Sequence, residues 1–215
     1  MIREINIENY KALKKINLFF EKYNIFTGDN NSGKTSCLEK ISCFCEENKK
    51  NFIFLNLLND DFEFVQKEIG QYKDKLIELL NFLIEDIKIK EEIYIKFKNE
   101  DIFIPINMIG KGSLKIIKIT LAILGKYQLV FIDNLEGIHY LLYRNLSDII
   151  TNSKNQIFIV THSKEFIEEF CYSLRDKNEE VRLYRFEKLR ENKLKIKNYS
   201  REEVLETINE GWEVR

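Results

Sequence analysis

Proline, glycine and long apolar runs are scarce in this sequence. One proline and eight glycines occur among 215 residues, so no flexible linker marks a domain boundary, and neither an internal repeat nor a low-complexity tract is visible. No apolar stretch approaches the roughly 20 residues that a membrane-spanning helix needs, and the N-terminus does not resemble a signal peptide. We therefore expect one domain over residues 1–215, located in the cytoplasm and without a membrane partner.

Net charge and metal-binding cysteine pairs are lacking as well. The 34 Lys and Arg residues balance 35 Asp and Glu residues, which excludes a global field that would draw the whole protein to nucleic acid or anionic lipid. Of the four cysteines, Cys37, Cys43 and Cys45 fall on one predicted helix and Cys171 lies far away. Because no paired C-x-x-C spacing is present, we expect reduced structural thiols rather than a metal framework.

The hydrophobic pattern that is present predicts an α/β fold. Hydrophobic residues make up 44% of the chain, enough for a substantial core. The apolar runs 128–132 and 156–160, separated by helix-like segments, indicate central parallel strands buried on both faces. Further strands are predicted at 2–8, 15–20, 23–27, 181–187 and 193–198, a hairpin at 87–97 and 101–106, and helices at 34–46, 62–85, 138–151, 200–210 and from residue 113. Residues 50–107 are assigned to a short insertion of helix and hairpin.

A phosphate-binding loop is the strongest motif in the chain. Residues 28–35, GDNNSGKT, match G-x-x-x-x-G-K-[ST] between a strand pattern and a helix pattern. Gly28 and Gly33 allow a tight turn in which successive N–H groups point at the β- and γ-phosphates, Lys34 adds a positive charge, and Thr35 offers its hydroxyl to magnesium. The predicted contacts are Gly28, Asp29, Asn30, Asn31, Ser32, Gly33, Lys34, Thr35 and Ser36. The alternative is a glycine-rich turn that only caps a helix.

Two polar residues follow the predicted central strands. Asp133 ends the run LVFID, and a carboxylate at the C-terminal edge of such a strand faces the phosphate loop, so we expect Asp133 to help hold magnesium. His162 lies in THSKEF at the tip of strand 156–160, where it could bond the γ-phosphate or orient a water. A polar cap on a buried strand is the alternative for His162.

These segments together resemble a known family. The start IREINIENYKALKKINLFFEKYNIFTGDNNSGKTSCLEKI, the run FIDNLEGIHY, the segment IFIVTHSKEFIEEF and the end EGWEVR are similar to the ABC-type ATPases of the SMC, RecF and OLD group. The resemblance implies a P-loop NTPase fold with a mainly parallel core sheet, an antiparallel portion and a short helical insertion. It also implies ATP and Mg²⁺ as cofactors, and it covers the whole chain.

The resemblance also implies a composite site. Residues 108–115 occupy the position of the family's signature motif, where Gly110, Gly112 and Ser113 would reach ATP bound to a second copy, so a homodimer that forms on ATP is expected. A helix N-cap by Ser113 is the alternative. Gln66 and Gln71 are the candidates for the family's Q-loop glutamine, although solvated helix positions are the expected interpretation of both.

Two features depart from the family pattern. Asn134 stands where members usually carry the glutamate that polarises water, and an amide does not take up a proton at neutral pH. Glu136 could substitute as the base, so we expect ATP binding with slow or partner-dependent hydrolysis. The interval between Lys34 and Gly110 is too short for long coiled-coil arms, and the chain has no room for a fused TOPRIM nuclease, so a separate effector protein would fit.

Three functions remain open at this point. The leading hypothesis is an ATPase head that dimerises on ATP and controls an effector, and the family resemblance implies a role in defence against phage or plasmids. The second is a DNA repair or recombination ATPase, and the third is an ATP-dependent scaffold without turnover; a small P-loop kinase is disfavoured. The basic residues that would contact nucleic acid alternate with acids, which favours a solvated strand face: Arg182, Arg185, Lys188, Arg190, Lys193, Lys195 and Lys197.

Overall fold

A computed structural model describes residues 1–11, 13–175, 177, 179–189 and 194–211. The strands are β1 (Glu4–Tyr10), β2 (Leu13–Phe19), β3 (Tyr23–Gly28), β4 (Phe52–Asn56), β5 (Ile84–Ile89), β6 (Ile93–Phe97), β7 (Ile104–Pro105), β8 (Leu129–Asp133), β9 (Gln156–Val160), β10 (Val181–Lys188) and β11 (Leu194–Tyr199). The helices are α1 (Lys34–Glu47), α2 (Phe62–Leu79), α3 (Lys111–Leu124), α4 (Tyr143–Thr151), α5 (Lys164–Ser173) and α6 (Arg201–Asn209). Short 3₁₀ turns cover Ile106–Met108 and Tyr140–Leu142.

The main sheet has six strands in the order β11-β10-β3-β9-β8-β4. The five strands from β10 to β4 run parallel, and β11 pairs antiparallel with β10 at one edge. Every residue of β3, β8 and β9 is buried, as expected for parallel strands covered on both faces. The predicted α/β fold with a mainly parallel core sheet is confirmed.

Two hydrophobic cores lie on opposite faces of this sheet. Neighbouring residues of a strand point to opposite faces, so that Ile25 and Ile157 join one core while Phe26 and Phe158 join the other. Helices α2 to α6 cover the first face, whereas α1 and the β1-β2 hairpin cover the second. The phosphate loop between β3 and α1 is therefore fixed between a buried strand and a packed helix.

The region of residues 50–107 differs most from the sequence-based expectation. Its first part forms β4, which the periodicity did not predict and which joins the main sheet beside β8. The helix predicted over 62–85 ends at Leu79, and the strand segment predicted over 87–97 is divided, because β5 and β6 form a hairpin with its turn at residues 90–92. The hairpin predicted across residues 98–100 forms between β6 and β7, and it is short. Only two residue pairs join β6 to β7.

The C-terminal part agrees with the predicted elements. Strands β10 and β11 pair antiparallel, and α6 begins at Arg201 behind a capping box formed by Ser200 and Glu203. Arg190, Lys193 and most of the terminal match EGWEVR lie outside the described residues. Among the residues that the structure describes, no helix is both long and apolar enough to cross a membrane.

Candidate nucleotide-binding site

The phosphate loop leaves β3 through a backbone conformation that requires glycine. Gly28 has a φ of 114°, and a Cβ placed on it would lie 2.2 Å from the carbonyl oxygen of Phe186. The neighbouring strand β10 also anchors the loop, since Asp29 N–H donates to the Phe186 carbonyl at 2.9 Å and the Asp29 carboxylate accepts from Lys188 N–H at 2.8 Å. The loop is thus held against β10.

Lys34 lies inside the loop rather than in solvent. Its Nζ donates to the carbonyl oxygens of Gly28 at 3.0 Å and Asp29 at 2.5 Å, and its side chain is buried. Burial lowers the pKa of Lys34, while the nearby carboxylates of Asp29, Glu136 and Asp133 oppose that shift. The ammonium is held at the place where the motif puts the phosphate chain, and a phosphate oxygen would be a stronger acceptor than a neutral carbonyl.

Thr35 and Asp133 form the oxygen pair that suits magnesium. The Thr35 hydroxyl lies 3.3 Å from Asp133 Oδ1, at the joint between α1 and the end of β8. Burial raises the pKa of Asp133, and the hydrogen bonds from Thr35 and from the Asn134 backbone oppose that shift. Within the described ranges no group of three or more His, Cys, Asp and Glu residues could hold a metal ion. Phosphate and water would have to supply the remaining ligands, as is usual for Mg²⁺.

A cleft of roughly 540 Å³ opens over the loop. Residues 30–36 line one side of it, and Asn134, Val160 and His162 line the other, so the structure brings the predicted loop, the end of β8 and the tip of β9 together. Lys11 also lines the cleft, with a left-handed backbone and an ion pair to Glu39. Sequence reasoning missed Lys11, because only its place in the β1-β2 turn brings it to the cleft.

Glu136 and His162 are directly linked. Glu136 Oε1 accepts a hydrogen bond from the His162 backbone N–H at 2.5 Å. Burial and the charge of Lys34 lower the pKa of His162, with Glu136 opposing them, so the imidazole is neutral at neutral pH and has one donor and one acceptor nitrogen. The predicted base therefore contacts the backbone of His162, which lines the cleft, whereas Glu136 itself is not one of the lining residues.

Asn134 adopts a backbone conformation that is uncommon for residues other than glycine. Its φ is 65°, a region that asparagine tolerates better than most residues do, and its Nδ2 lies 3.4 Å from Asn56 Oδ1. Asn56 ends β4 directly beside Asp133. Sequence analysis missed Asn56, because β4 was not predicted and only its pairing with β8 brings the two amides together.

The predicted signature residues do not line this cleft. Helix α3 begins at Lys111 with Gly110 as its N-cap, so the alternative in which Ser113 caps the helix is wrong. Gly112 packs against the loop after β8, where a Cβ would lie 3.0 Å from the Gly137 carbonyl oxygen. The Q-loop candidates Gln66 and Gln71 are exposed on α2 and lie outside the cleft.

Comparison with known proteins agrees with this geometry. An ATP/GTP phosphatase of Helicobacter pylori is 26% identical over 168 residues, which cover 74% of this chain but 41% of that protein. The fold resembles a cobalt transport ATP-binding protein, with a TM-score of 0.55 at 18% identity over 80% of this chain and 68% of the other. It also resembles an ABC transporter ATP-binding protein from Pyrococcus furiosus, with a TM-score of 0.52 at 14% identity over 74% of this chain and 88% of the other. The AAA ATPase domain family matches residues 1–136, and the chain belongs to that family.

Proposed function

We propose that this chain binds Mg-ATP and pairs with a second copy around the bound nucleotide. One observation carries the proposal: the buried Lys34 ammonium, the Thr35 and Asp133 oxygens and His162 converge on one cleft at the end of a parallel sheet. Backbone N–H groups at the start of α1 and the Lys34 charge would bind the phosphates, and Thr35 with Asp133 would hold the magnesium ion. The ion would neutralise phosphate charge.

The position of the signature segment supports pairing between copies. Gly110 is exposed, and the Gly110–Ser113 segment does not line the cleft of its own chain. A nucleotide that this segment contacts would therefore have to be bound to another copy. Large exposed apolar side chains flank the segment and the Gly137 loop on which it packs: Met108, Tyr140 and Leu141. Exposed apolar groups of this kind are commonly covered in protein interfaces.

Mass measured by light scattering tests the pairing directly. We expect the wild-type chain to be mainly monomeric without nucleotide and dimeric with Mg-ATP, because the two phosphate tails would bridge the two copies. Lys34→Ala should stay monomeric, since it removes the charge that binds the phosphates. Calorimetry on the same samples separates binding from pairing, and a wild-type chain that took up no adenine nucleotide would contradict the whole proposal.

Hydrolysis in this proposal is slow and uses Glu136 as the base. Asn134 lacks a proton-accepting group, whereas the Glu136 carboxylate bonds the backbone N–H of His162, a residue that lines the cleft. Glu136→Gln keeps an oxygen that can accept the His162 N–H bond, so it should bind ATP normally and lose steady-state phosphate release. Unchanged turnover in Glu136→Gln would remove Glu136 as the base. No turnover in the wild type, with intact pairing, would favour the non-hydrolysing scaffold.

Control of a separate effector protein completes the proposal. The chain spans 41% of the length of the Helicobacter pylori relative that it matches. The proposed partner is a cytoplasmic protein that recognises the ATP-bound pair, and both this partner and a defence role rest on the family resemblance alone. Co-purification with Glu136→Gln in Mg-ATP, compared with Lys34→Ala, tests the partner: capture by both variants alike would contradict control by ATP.

The structure gives less support to a DNA-binding function. Arg182 pairs with Glu21 at 2.9 Å, and Lys197 pairs with Glu187 at 2.8 Å, so nearby acids already neutralise these cations. Arg185 also approaches Glu187, at 3.3 Å. Phosphate binding would have to displace these pairs, whereas an exposed stripe of unpaired cations would not have this cost.

A further inference from the structure

Lys115 is a buried lysine that the proposed mechanism does not yet use. It lies in the second turn of α3, two residues after Ser113, and its side chain is 8% exposed. Its Nζ donates to the carbonyl oxygens of Asn134, at 2.9 Å, and of Glu136. A buried ammonium needs such acceptors, because an unpaired charge in the interior is strongly unfavourable.

The two carbonyls belong to the loop that carries the proposed catalytic groups. Asn134 and Gly137 both have left-handed backbones, with φ of 65° and 80°, and the carbonyls of Asn134 and Glu136 converge on one ammonium between them. From this loop the Glu136 carboxylate reaches the His162 N–H, and the Asn134 amide reaches the cleft. Lys115 therefore fixes the backbone from which both side chains are aimed.

The same loop also contacts the signature segment. A Cβ on Gly112 would lie 3.0 Å from the Gly137 carbonyl oxygen, so the first turn of α3 and the loop pack without spare room. A shift of the loop would be passed to this turn by contact at Gly112 and by the Lys115 hydrogen bonds. Close-packed contacts of this kind transmit displacement, because little void space is available to absorb it.

We propose that Lys115 is a positioning residue that couples Mg-ATP in the cleft to the placement of the Gly110–Ser113 segment offered to the second copy. The inference rests on the proposed function, because it needs ATP in the cleft and a second copy at the segment. When Mg-ATP is bound, its contacts near Asn134 and Glu136 fix the position of the loop after β8. The Lys115 ammonium then holds the first turn of α3 against that loop.

Lys118 offers a matched control on the same helix. It is 2% exposed and its Nζ donates to the carbonyl oxygen of Asn59, near Asp60 and Asp61, in the loop after β4. Burial lowers the pKa of both Lys115 and Lys118. Replacing either lysine by methionine exchanges a buried ammonium for an uncharged side chain of similar length. Of the two lysines, Lys115 bonds the loop after β8 and Lys118 does not.

Hydrogen exchange with and without Mg-ATP tests the coupling. In the wild type we expect the nucleotide to slow exchange both in residues 28–36 and in residues 108–116. In Lys115→Met the protection of 28–36 should persist, whereas the protection of 108–116 should fall about tenfold, which lies within the usual range of coupling between two sites. Lys118→Met should retain both effects, and Lys115→Arg, which keeps a cation with several donors, should recover most of the protection.

The outcomes separate the inference from the proposed function. A wild-type chain that binds no Mg-ATP would overturn both. Normal binding with equal protection of 108–116 in wild type and Lys115→Met would overturn the inference alone, as would an equal loss in Lys118→Met, which would indicate only a structural role for buried lysines. If Lys115→Met fails to fold, Lys115→Gln takes its place, because the shorter glutamine side chain cannot reach both carbonyls, and it should show the same selective loss of protection in 108–116.

Discussion

At the scale of single residues, Gly28 shows how closely the phosphate loop is built against its neighbour. Alanine at this position would combine a φ of 114° with a Cβ 2.2 Å from the Phe186 carbonyl oxygen. The left-handed backbone alone costs about 1–2 kcal/mol, and the contact with β10 adds to it. We expect Gly28→Ala to lower the free energy of unfolding by more than about 2 kcal/mol and to abolish ATP binding, as measured by urea denaturation and calorimetry.

Gly70 provides the control for that substitution. It lies inside α2, and nothing comes within 4 Å of a Cβ placed on it. Gly70→Ala should therefore raise the free energy of unfolding by about 0.5–1 kcal/mol through helix propensity, with ATP affinity unchanged. Equal effects of the two substitutions would show that the contact with β10 is unimportant.

Asp133 combines a functional position with an unfavourable environment. Burial raises its pKa, so below neutral pH the folded chain takes up a proton there more readily than the unfolded chain, and ionisation at neutral pH weakens folding. Asp133→Asn should raise the nucleotide-free Tm at pH 7 by about 2–4 °C, equivalent to about 1 kcal/mol in a chain of this size. That advantage should shrink as the pH falls towards the range where the carboxyl is protonated.

The same variant should lose its response to magnesium. We expect Mg-ATP to raise the Tm of the wild type but not that of Asp133→Asn, because the amide is a weaker ligand for the ion. Asp148→Asn, on the exposed face of α4, serves as the control. It should change neither the free energy of unfolding without nucleotide nor the stabilisation by Mg-ATP by more than about 0.5 kcal/mol. A fall in the nucleotide-free Tm of Asp133→Asn would contradict the expected cost of the buried charge.

At the scale of helices and strands, the elements buried on both faces could be predicted from the sequence, and the edges could not. The apolar runs of β3, β8 and β9 are continuous because both faces of each strand are covered, so the local sequence carries the information. Strand β4 has a single partner, and most of its side chains are half-buried. Its five residues therefore show no clear period, and the strand was missed.

The same distinction applies to the candidate site. The phosphate loop, Asp133 and His162 follow central strands directly, so their place at one sheet edge could be inferred from local order. Asn56 and Lys115 reach the site through pairings with residues far away in the chain, which a single sequence does not reveal. The predicted boundary between α2 and β5 was wrong for a related reason. Apolar residues continue across this boundary, so tertiary contacts decide where the helix ends.

Two serine caps allow a prediction about whole helices. Ser163 caps α5 directly after His162 and accepts from Phe166 N–H at 3.1 Å, while Ser200 caps α6 away from the cleft. Ser163→Ala and Ser200→Ala should each lower the free energy of unfolding by about 1 kcal/mol. Only Ser163→Ala should also weaken ATP binding, because it loosens the backbone that carries His162. Equal ATP affinity in the two variants would show that the start of α5 does not contribute to nucleotide binding.

At the scale of the whole molecule, each nucleotide in the proposed pair lies between the phosphate loop of one copy and the Gly110–Ser113 segment of the other. Lys34→Ala leaves its signature segment intact, and Ser113→Arg leaves its phosphate loop intact, because Ser113 lies outside the cleft of its own chain. A mixed pair would hold one complete site, formed by the loop of the Ser113→Arg copy and the segment of the Lys34→Ala copy. Neither variant could form a complete site with itself.

Mixing labelled copies of these two variants tests that arrangement. Energy transfer between a donor on one and an acceptor on the other should appear with Mg-ATP and be absent for either variant alone, since a pair that holds a complete site must contain one copy of each variant. Calorimetry should show that Ser113→Arg still binds ATP while Lys34→Ala does not. If Ser113→Arg paired with itself as well as the wild type does, the segment would lie outside the interface, and each nucleotide would be bound by one copy alone.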